Sequence, residues 1–264
     1  MKICLDAGHY KGYNQGVVKS YYEGNVVWKL TNLQKKYLEE YENVTVILTR
    51  ADISKDLSLS ARGNAARGCD LFISNHSNSA DKETVDRPVI IYPYDNKNKA
   101  DVLGKKLGVK IQEIMNLKQN YEMYKRTYNG GEYYGVMRAA RAIGCPRYYI
   151  LEHGFHTNKA TCNWLLKDEN LEKLAKAEVE VIAKYYGLKK KKVAATKVET
   201  VNEVYRIITD SLNIRKDATT KSEIVGEVKK GSAYTIVEKK NGFGKLKSNA
   251  GWISLGDKYV ELKK

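Results

Sequence analysis

The sequence predicts an α/β domain, a twisted and mostly parallel sheet with helices on both faces, followed by a small all-β barrel domain. The first part follows from residues 1–188, where short apolar runs alternate with segments whose apolar residues recur at helical spacing. Nearly continuous apolar strands separated by helices are typical of a sheet that is covered on both faces. The second part follows from residues 205–264, where short alternating runs are separated by Gly and Asn.

Five runs in the first part are predicted strands because they are short, apolar and rich in β-branched or aromatic residues. They are KICLDAG (2–8), VTVILTR (44–50), DLFISNH (70–76), PVIIYPY (88–94) and RYYILEH (147–153). Apolar residues at helical spacing predict helices around 27–38 and 103–115. A last helix is predicted from Asp168 to Tyr186, with Gly187 as its cap.

The sequence changes character after this helix. Residues 189–204 are polar and lysine-rich and have no apolar periodicity, which predicts a charged linker, since a run of like charges repels itself and stays extended. The predicted division is therefore a first domain over 1–188, a linker over 189–204 and a small second domain over 205–264.

Composition narrows the function further. The chain has 264 residues, of which 42% are hydrophobic, but no apolar stretch approaches the roughly 20 residues of a membrane span, so we expect no integral membrane segment. The N-terminal apolar run is broken by Asp6 and Gly8, and we expect a strand there instead of a secretory signal, hence synthesis in a cytoplasm. The four cysteines form no C-x-x-C motif and are expected to be reduced and mostly buried.

The net charge of +15 suggests a polyanionic partner. Nucleic acid, anionic lipid and a bacterial wall rich in phosphate polymers all fit, as does a lysine-rich surface that only keeps the protein soluble. No nucleic-acid-binding motif accompanies the charge, so we expect no nucleic-acid partner. The sequence does not determine the oligomeric state.

Polar residues follow the predicted strands at the ends where ligands gather in open α/β sheets. His9 follows the first strand, His76 ends the third and Glu152 ends the last, while Glu23 lies at the start of the first long helix. Two histidines and one carboxylate holding a metal, with a second glutamate as general base, form a catalytic zinc arrangement. The alternative is that each is an ordinary polar side chain, with Glu23 placed favourably at a helix start.

Four motifs in order carry a resemblance to a known family. They are ICLDAGH, YYEGN, LTRADISKDLSLSARGNAARGCDLFISNHSN and YGVMRAARAIGCPRYYILEHGFHTN. This chain resembles the zinc-dependent N-acetylmuramoyl-L-alanine amidases over most of residues 1–187. By position, the resemblance implies that His9, Glu23 and His76 are zinc ligands and that Glu152 is the catalytic glutamate. It also implies cleavage of the amide between the lactyl group of muramic acid and L-alanine in peptidoglycan.

Some positions depart from the family pattern or fall outside its core. After His9 the chain has YKGYNQG, where many relatives have a glycine-rich run. His153 and His156 flank Gly154 and Phe155 and are expected to be neither ligands nor substrate contacts. Three other motif residues are expected to form ion pairs that support a loop, and Asn78 is a candidate to orient a ligand. The three residues expected to form ion pairs are Arg50, Asp52 and Arg62.

The C-terminal part resembles bacterial Src-homology-three-like modules, on the segments LNIR, VKKG and GWIS. Such modules generally bind cell-wall peptide or glycan, which implies peptidoglycan and associated wall polymers as partners. Four aromatic residues are candidates for a groove, although a tryptophan is more often in the core of so small a barrel. They are Tyr205, Phe243, Trp252 and Tyr259.

The order of catalytic domain, linker and wall-binding module predicts a lytic enzyme. Without a signal peptide, a phage endolysin that reaches the wall after membrane permeabilisation is favoured over a secreted autolysin, and a sporulation amidase is the alternative. Two other readings stay open. One is a wall-binding protein with a decayed catalytic domain, and the other is a zinc enzyme that cuts a different bond, as an endopeptidase or deacetylase would.

Overall fold

A computed structural model describes residues 1–191 and 198–263. The chain divides into two compact units, Met1–Lys191 and Lys192–Lys264. The first unit contains six helices: α1 (Glu23–Leu38), α2 (Leu59–Asn64), α3 (Ala100–Met115), α4 (Gly135–Ala142), α5 (Lys159–Leu165) and α6 (Asp168–Tyr186). Its strands are β1 (Lys2–Ala7), β2 (Thr45–Leu48), β3 (Leu71–Asn78), β4 (Val89–Ile91), β5 (Glu122–Tyr124), β6 (Thr127–Tyr128), β7 (Gly131–Glu132) and β8 (Tyr148–Phe155).

Six of these strands form one sheet in the order β2-β1-β3-β8-β4-β5. Strands β2, β1, β3 and β8 are parallel to one another, and β4 runs antiparallel to β8 and parallel to β5. This confirms the predicted mostly parallel sheet. Consequently β1, β3 and β8 direct their C-terminal ends to the same edge, where the candidate site lies.

Helices cover both faces of the sheet, as predicted. Leu30 of α1, Leu107 of α3 and Ile182 of α6 are buried in one apolar cluster, while Met137 of α4 is buried in another. The last helix has its predicted bounds, and Gly187 ends it in the left-handed conformation (φ 65°) that favours glycine. No helix in the two described ranges is long and apolar enough to cross a membrane.

The four cysteines are buried and unbridged, as predicted. Cys4, Cys69 and Cys145 belong to the apolar cluster between the sheet and α4. Burial raises the pKa of Cys4, Cys69 and Cys145, so these thiols behave as small apolar side chains.

Over its described residues, 198–263, the second unit contains seven strands in one antiparallel sheet, in the order β11-β10-β14-β13-β12-β9-β15. They are β9 (Glu199–Ile207), β10 (Ser211–Arg215), β11 (Ile224–Lys229), β12 (Ala233–Lys240), β13 (Phe243–Leu246), β14 (Trp252–Ser254) and β15 (Val260–Lys263). The predicted all-β domain is confirmed. Over the described residues the end strands β11 and β15 are not paired with each other, so the barrel is not closed.

The predicted linker, 189–204, differs from the structure at both ends. Strand β9 begins at Glu199 and pairs with β12 and β15, because ETVNEVYRI has the alternation of a strand and was obscured by the lysine run before it. At the other end, the Lys189 carbonyl accepts a hydrogen bond from the Glu42 amide and the Lys191 amide donates to Glu40. The middle of the predicted linker, 192–197, lies outside the described residues.

Candidate metal centre and catalytic carboxylate

The structure brings three of the predicted site residues together at the C-terminal edge of the sheet. His9 follows β1, His76 lies near the end of β3, and Glu23 is the first residue of α1. One potential ligand atom from each of the three lies within 4.8 Å of the others. His76 Nδ1 is 2.9 Å from Glu23 Oε1, and His9 Nε2 is 3.4 Å from Glu23 Oε2.

The backbone before and around His9 explains this approach. A Cβ atom at Gly8 would lie 2.3 Å from the His76 ring, so only glycine lets β1 pass this close to the ring. His9 itself adopts a left-handed conformation (φ 58°), which is uncommon for a non-glycine residue. The turn after it returns the chain to α1, where a Cβ at Gly24 would meet the Tyr10 carbonyl oxygen at 2.0 Å.

Hydrogen bonds fix both oxygens of the Glu23 carboxylate. The Ser77 amide donates to Oε1 over 3.0 Å, and the Asn14 side-chain amide donates to Oε2 over 2.7 Å. Glu23 is 1% exposed, so a carboxylate at this position requires such partners. Asn14 also lies 3.2 Å from His9 Nε2 and therefore contacts two members of the triad.

A second chain of hydrogen bonds orients His76. The Ser74 hydroxyl donates to Asp6 Oδ2 over 2.7 Å and lies 3.1 Å from His76 Nε2. Because the Ser74 proton is directed to Asp6, its oxygen accepts from His76 Nε2–H. Nδ1 is then the nitrogen that faces Glu23, where it donates a hydrogen bond without a metal and would offer its lone pair to a metal once that proton is lost. Asp6 is itself paired with Arg62 at 3.0 Å. Histidine ligands of metals are commonly held in this way through their second ring nitrogen.

The electrostatics of the triad favour a positive charge between its members. Burial alone would raise the pKa of Glu23, but hydrogen bonds from His76 and His9 outweigh burial and hold this pKa well below its usual range. Burial alone would lower the pKa of His76, yet the bond to Glu23 raises it to about 9. Without a metal the site therefore retains a proton, and a metal cation would replace that proton.

Glu152 lies beside the triad and does not belong to it. Its Cα pairs in register with His76 across β3 and β8. Its Oε2 atom is buried and has no hydrogen-bond partner among the described residues. Burial raises the pKa of Glu152 to about 7, because it outweighs the smaller effects of His76 and His153, which lower this pKa, and the Glu23 charge adds a smaller rise. A carboxylate with such a pKa suits proton transfer near neutral pH.

The other two histidines have their own partners. His156 Nδ1 lies 3.0 Å from the Ser77 hydroxyl oxygen and 3.9 Å from Glu23 Oε2, so it borders the triad without joining it. His153 is buried beneath β3, with Nδ1 3.0 Å from the His76 carbonyl oxygen and Nε2 2.8 Å from Glu178. Burial alone would lower the pKa of His153, but the Glu178 charge and hydrogen bonds at both ring nitrogens outweigh burial and raise it, which favours an imidazolium.

The three predicted ion-pair residues have different roles. Arg62 forms the predicted ion pairs, with Asp6 and with Asp56. Arg50 donates from Nη1 to the Ala7 carbonyl and lies over the Trp28 ring at 5.3 Å. Asp52 accepts hydrogen bonds from the Ser54 amide and hydroxyl and is fully exposed, so the prediction of an ion pair is wrong there. Asn78 accepts from the Ser79 amide through Oδ1, without a contact to the triad residues.

Several supporting residues were missed in the sequence. Asp6 and Ser74 precede the site by a few residues on their strands, and the two-residue spacing between Ser74 and His76 was the available signal, since it puts them on one face. Asn14 and Glu178 carried no such signal. Their roles depend on how a loop and the last helix return to the sheet.

Two family profiles match the chain. The profile of N-acetylmuramoyl-L-alanine amidases matches residues 3–184, and that of bacterial SH3 domains matches residues 210–261. Among curated proteins, no sequence matches significantly.

Solved structures with the same fold are amidases by their descriptions. The catalytic domain of CwlV, an N-acetylmuramoyl-L-alanine amidase from Bacillus (Paenibacillus) polymyxa var. colistinus, is 19% identical with a TM-score of 0.61, over 71% of this chain and 99% of that one. The N-acetylmuramoyl-L-alanine amidase from Clostridium difficile 630 is 17% identical with a TM-score of 0.61, over 70% and 96%. The CwlD amidase from Clostridioides difficile, solved with the GerS lipoprotein, is 21% identical with a TM-score of 0.59, over 70% and 98%. At these identities the likeness concerns the fold.

Proposed function

This chain belongs to the N-acetylmuramoyl-L-alanine amidase family, and from that premise we propose that it is a zinc-dependent hydrolase of peptidoglycan. The proposed reaction cleaves the amide between the lactyl group of N-acetylmuramic acid and L-alanine. His9, Glu23 and His76 would hold the zinc ion, and Glu152 would act as general base and acid.

The residues present fit a zinc ion. Two imidazole nitrogens and one carboxylate are a donor set found in catalytic zinc sites, and the three already lie within 4.8 Å of one another. When bound, zinc would lower the pKa of a water molecule and polarise the carbonyl of the scissile amide. The hydrogen bonds from Ser77 and Asn14 to Glu23, and from His76 to Ser74, hold the donors in place before a metal arrives.

Glu152 supplies the proton transfers. Its buried and unpartnered Oε2 is the observation that carries the proposal, because a carboxylate oxygen left without a partner beside a ligand histidine is free to accept a proton from the attacking water. The oxygen–carbon bond then forms, the carbon–nitrogen bond breaks, and the same proton passes to the leaving nitrogen of L-alanine. The products are a lactyl carboxylate and a stem peptide with a free amino terminus.

The second unit is proposed to attach the enzyme to the wall. Residues 205–264 contain 13 lysines and arginines against 7 aspartates and glutamates, and a polyanionic wall attracts this excess. Tyr205 and Phe243 line a shallow groove together with Lys239 and Lys240. Trp252 is only half-buried, and the fully buried core residue beside it is Ile253. Trp252 therefore stays a candidate for wall binding.

We also propose a lytic role of the endolysin type, with synthesis in a host cytoplasm and action at the wall after release. A bacterial autolysin or sporulation amidase would use the same chemistry. Adding the purified protein to intact cells and to isolated walls tests the role. Lysis of isolated walls is expected, whereas protein produced in the host cytoplasm is expected to lyse the cells only after their membrane is permeabilised, because the membrane separates it from the wall.

Mass spectrometry of digested peptidoglycan tests the reaction itself. The digestion is run with the untreated protein, with a chelator, and with zinc restored after chelation. Intact stem peptides that begin with L-alanine, lost on chelation and regained with zinc, are expected. Fragments cut within the peptide would indicate an endopeptidase, and released acetate a deacetylase. Wall binding without any product would indicate a decayed catalytic domain.

A further inference from the structure

One peptide group beside the triad is hydrogen-bonded at both ends. Its carbonyl oxygen, from His76, lies 3.0 Å from Nδ1 of His153. Its amide, from Ser77, donates to Glu23 Oε1 over 3.0 Å. A carbonyl oxygen can only accept, so Nδ1 of His153 carries the proton of the first bond. We propose that His153 is a positioning residue, which orients this peptide group and, through its amide, the carboxylate of Glu23. The inference rests on the proposed amidase function, in which Glu23 and His76 hold zinc.

The bond from His153 to His76 spans two strands where their register changes. At the start of this stretch His76 of β3 pairs with Glu152 of β8. At its end Asn78 pairs with Phe155, so β8 has one residue more than β3 in between. An extra residue of this kind disrupts the ladder of backbone hydrogen bonds locally. The side-chain bond of His153 therefore adds a restraint between the strands at the point where the ladder is irregular.

His153 approaches the site from the opposite face of the sheet. Successive residues of a strand point to opposite faces, so Glu152 and His153 lie on different faces of β8. Glu152 pairs in register with His76 on the face that carries the triad. His153 is buried on the other face, where it contacts Glu178 of α6. It therefore lies beneath the triad and reaches it only through the backbone of β3.

A buried polar network holds the other side of the His153 ring. Nε2 of His153 lies 2.8 Å from Glu178 Oε1, and the side-chain amide of Gln34 donates to Glu178 Oε2 over 2.8 Å. The side-chain amide of Asn75, the residue before His76, donates to Gln34 Oε1 over 2.7 Å. The side chains of His153, Glu178, Gln34 and Asn75 belong to residues that are at most 1% exposed. A buried network whose members have partners is rigid, so the His153 ring has a fixed orientation from which to donate.

The alternative is that His153 serves stability alone, through its pair with Glu178. The two ring nitrogens separate these roles, because Nδ1 faces the His76 carbonyl and Nε2 faces Glu178. The amide nitrogen of asparagine takes the place of Nδ1, and that of glutamine takes the place of Nε2, since each is as many bonds from Cβ as the nitrogen it replaces. His153→Asn therefore keeps the donor to His76, whereas His153→Gln keeps the donor to Glu178.

Zinc affinity and thermal unfolding of these two matched variants test the proposal. His153→Gln is expected to weaken zinc binding, measured by chelator competition, about 10–100-fold, the usual effect of losing a group that orients a ligand. His153→Asn is expected to bind zinc as the wild type does. In the chelated proteins His153→Asn is expected to unfold at a lower temperature than His153→Gln, because it leaves Glu178 without its partner. If His153→Asn does not fold, Glu178→Gln replaces it, since that variant weakens the same pair, leaves Nδ1 in place and is expected to keep the wild-type zinc affinity.

The amide resonance of Ser77 provides a readout that needs neither metal nor turnover. The Ser77 nitrogen belongs to the peptide group whose carbonyl accepts from His153, so loss of this bond changes its NMR chemical shift. Both variants lose the imidazole ring, and the comparison between them isolates the hydrogen bond. In the chelated proteins the Ser77 resonance is expected to lie farther from its wild-type position in His153→Gln than in His153→Asn.

Two results would overturn the positioning role of His153. One is a zinc affinity that follows thermal stability, so that His153→Asn binds zinc more weakly than His153→Gln or equally weakly. The other is the same Ser77 resonance in both variants. If the wild type cleaves no peptidoglycan, or binds no zinc, the amidase proposal fails, and the Ser77 resonance still decides whether His153 orients the peptide group.

Discussion

Glu152 and His76 occupy paired positions on adjacent parallel strands, on the same face of the sheet. His76 is hydrogen-bonded to Ser74 through Nε2 and to Glu23 through Nδ1. Glu152 Oε2, in contrast, is buried without a hydrogen-bond partner among the described residues. An unpartnered buried carboxylate destabilises a fold, so its presence here supports the proposal that Glu152 is a functional group. The two side chains thus differ in their hydrogen bonding although they are placed equivalently.

Replacing Glu152 with glutamine removes the proton acceptor and keeps the shape of the side chain. We expect Glu152→Gln to lower kcat by about 10²–10⁴-fold, the usual contribution of a general base. Zinc content, measured by metal analysis, and the circular dichroism spectrum are expected to match the wild type. A variant that has lost its zinc would show instead that Glu152 is a ligand.

The sequence predicted His9, His76 and Glu152 as neighbours because each stands at the C-terminal end of a strand, and parallel topology brings such ends to one edge. The position of Glu23 could not be predicted from strand ends alone, because it depends on a thirteen-residue turn that packs the Tyr10 carbonyl against Gly24. No periodic pattern encodes such a turn, and here the family resemblance supplied the assignment. The structure brings all four together, while their chemical roles stay a prediction.

Other elements were missed for physical reasons. Helices α2 and α4 have only six and eight residues, too few for a clear apolar stripe. Strands β5, β6 and β7 have two or three residues each and are defined by their pairing. The start of β9 is also defined by its pairing, with strands that are distant in sequence. The charged run before it therefore led to the prediction of a linker at these residues.

Ser74 is expected to control metal affinity without touching the metal. Its hydroxyl connects His76 Nε2 to Asp6, and loss of such a partner weakens metal binding by about 10–100-fold. The effect of Ser74→Ala is measured by chelator competition for zinc and by the visible spectrum of the cobalt-loaded protein. Ser79→Ala is the control, since Ser79 is an exposed serine just after the same strand. Equal zinc affinity in the two variants would show that the Ser74 bond does not orient the ligand.

Burial of Glu152 makes stability depend on pH in the chelated protein. Its pKa of about 7 exceeds the ordinary value of 4.5, so the native state binds more protons than the unfolded state between these two pH values. The carboxyl group therefore lowers the free energy of unfolding as pH rises from about 4.5 to about 7, by about 3 kcal/mol in total.

Urea denaturation of chelated wild type and Glu152→Gln at pH 5 and pH 8 measures this effect. The amide does not titrate, so the variant is expected to gain stability relative to the wild type by up to about 3 kcal/mol between the two pH values. Titrating groups remote from Glu152 are present in both proteins and cancel in the difference, whereas His76 and Glu23 interact with the Glu152 charge and contribute the part of their titration that depends on it. A difference that does not change with pH would mean that Glu152 has an ordinary pKa.

The buried pair of Glu178 and His153 is expected to be the most sensitive ion pair of the first unit. Glu178 is 0% exposed, and it accepts hydrogen bonds from His153 and from the Gln34 side chain. Glu178→Ala leaves a buried imidazolium without its partner, which costs about 3–5 kcal/mol of unfolding free energy. Glu172→Ala on the same helix is the control, because the Glu172 side chain is 45% exposed in its pairs with Lys36 and Lys176 and is worth less than about 1 kcal/mol. Similar losses in the two variants, measured by urea denaturation, would show that His153 is not held as a cation.

The excess of positive charge leads to a prediction for wall attachment that does not depend on catalysis. Co-sedimentation of the full-length Glu152→Gln variant with isolated walls measures binding without digestion. Raising the salt concentration from about 0.1 M to about 1 M shortens the screening length from roughly 10 Å to roughly 3 Å, so exposed lysines lose most of their attraction to wall phosphates. We expect the bound fraction to fall several-fold over this range, and to fall at low salt as well when the walls are stripped of their anionic polymers. Binding that is constant across the salt range would mean that the wall is recognised through neutral contacts and that the charge of +15 serves another purpose.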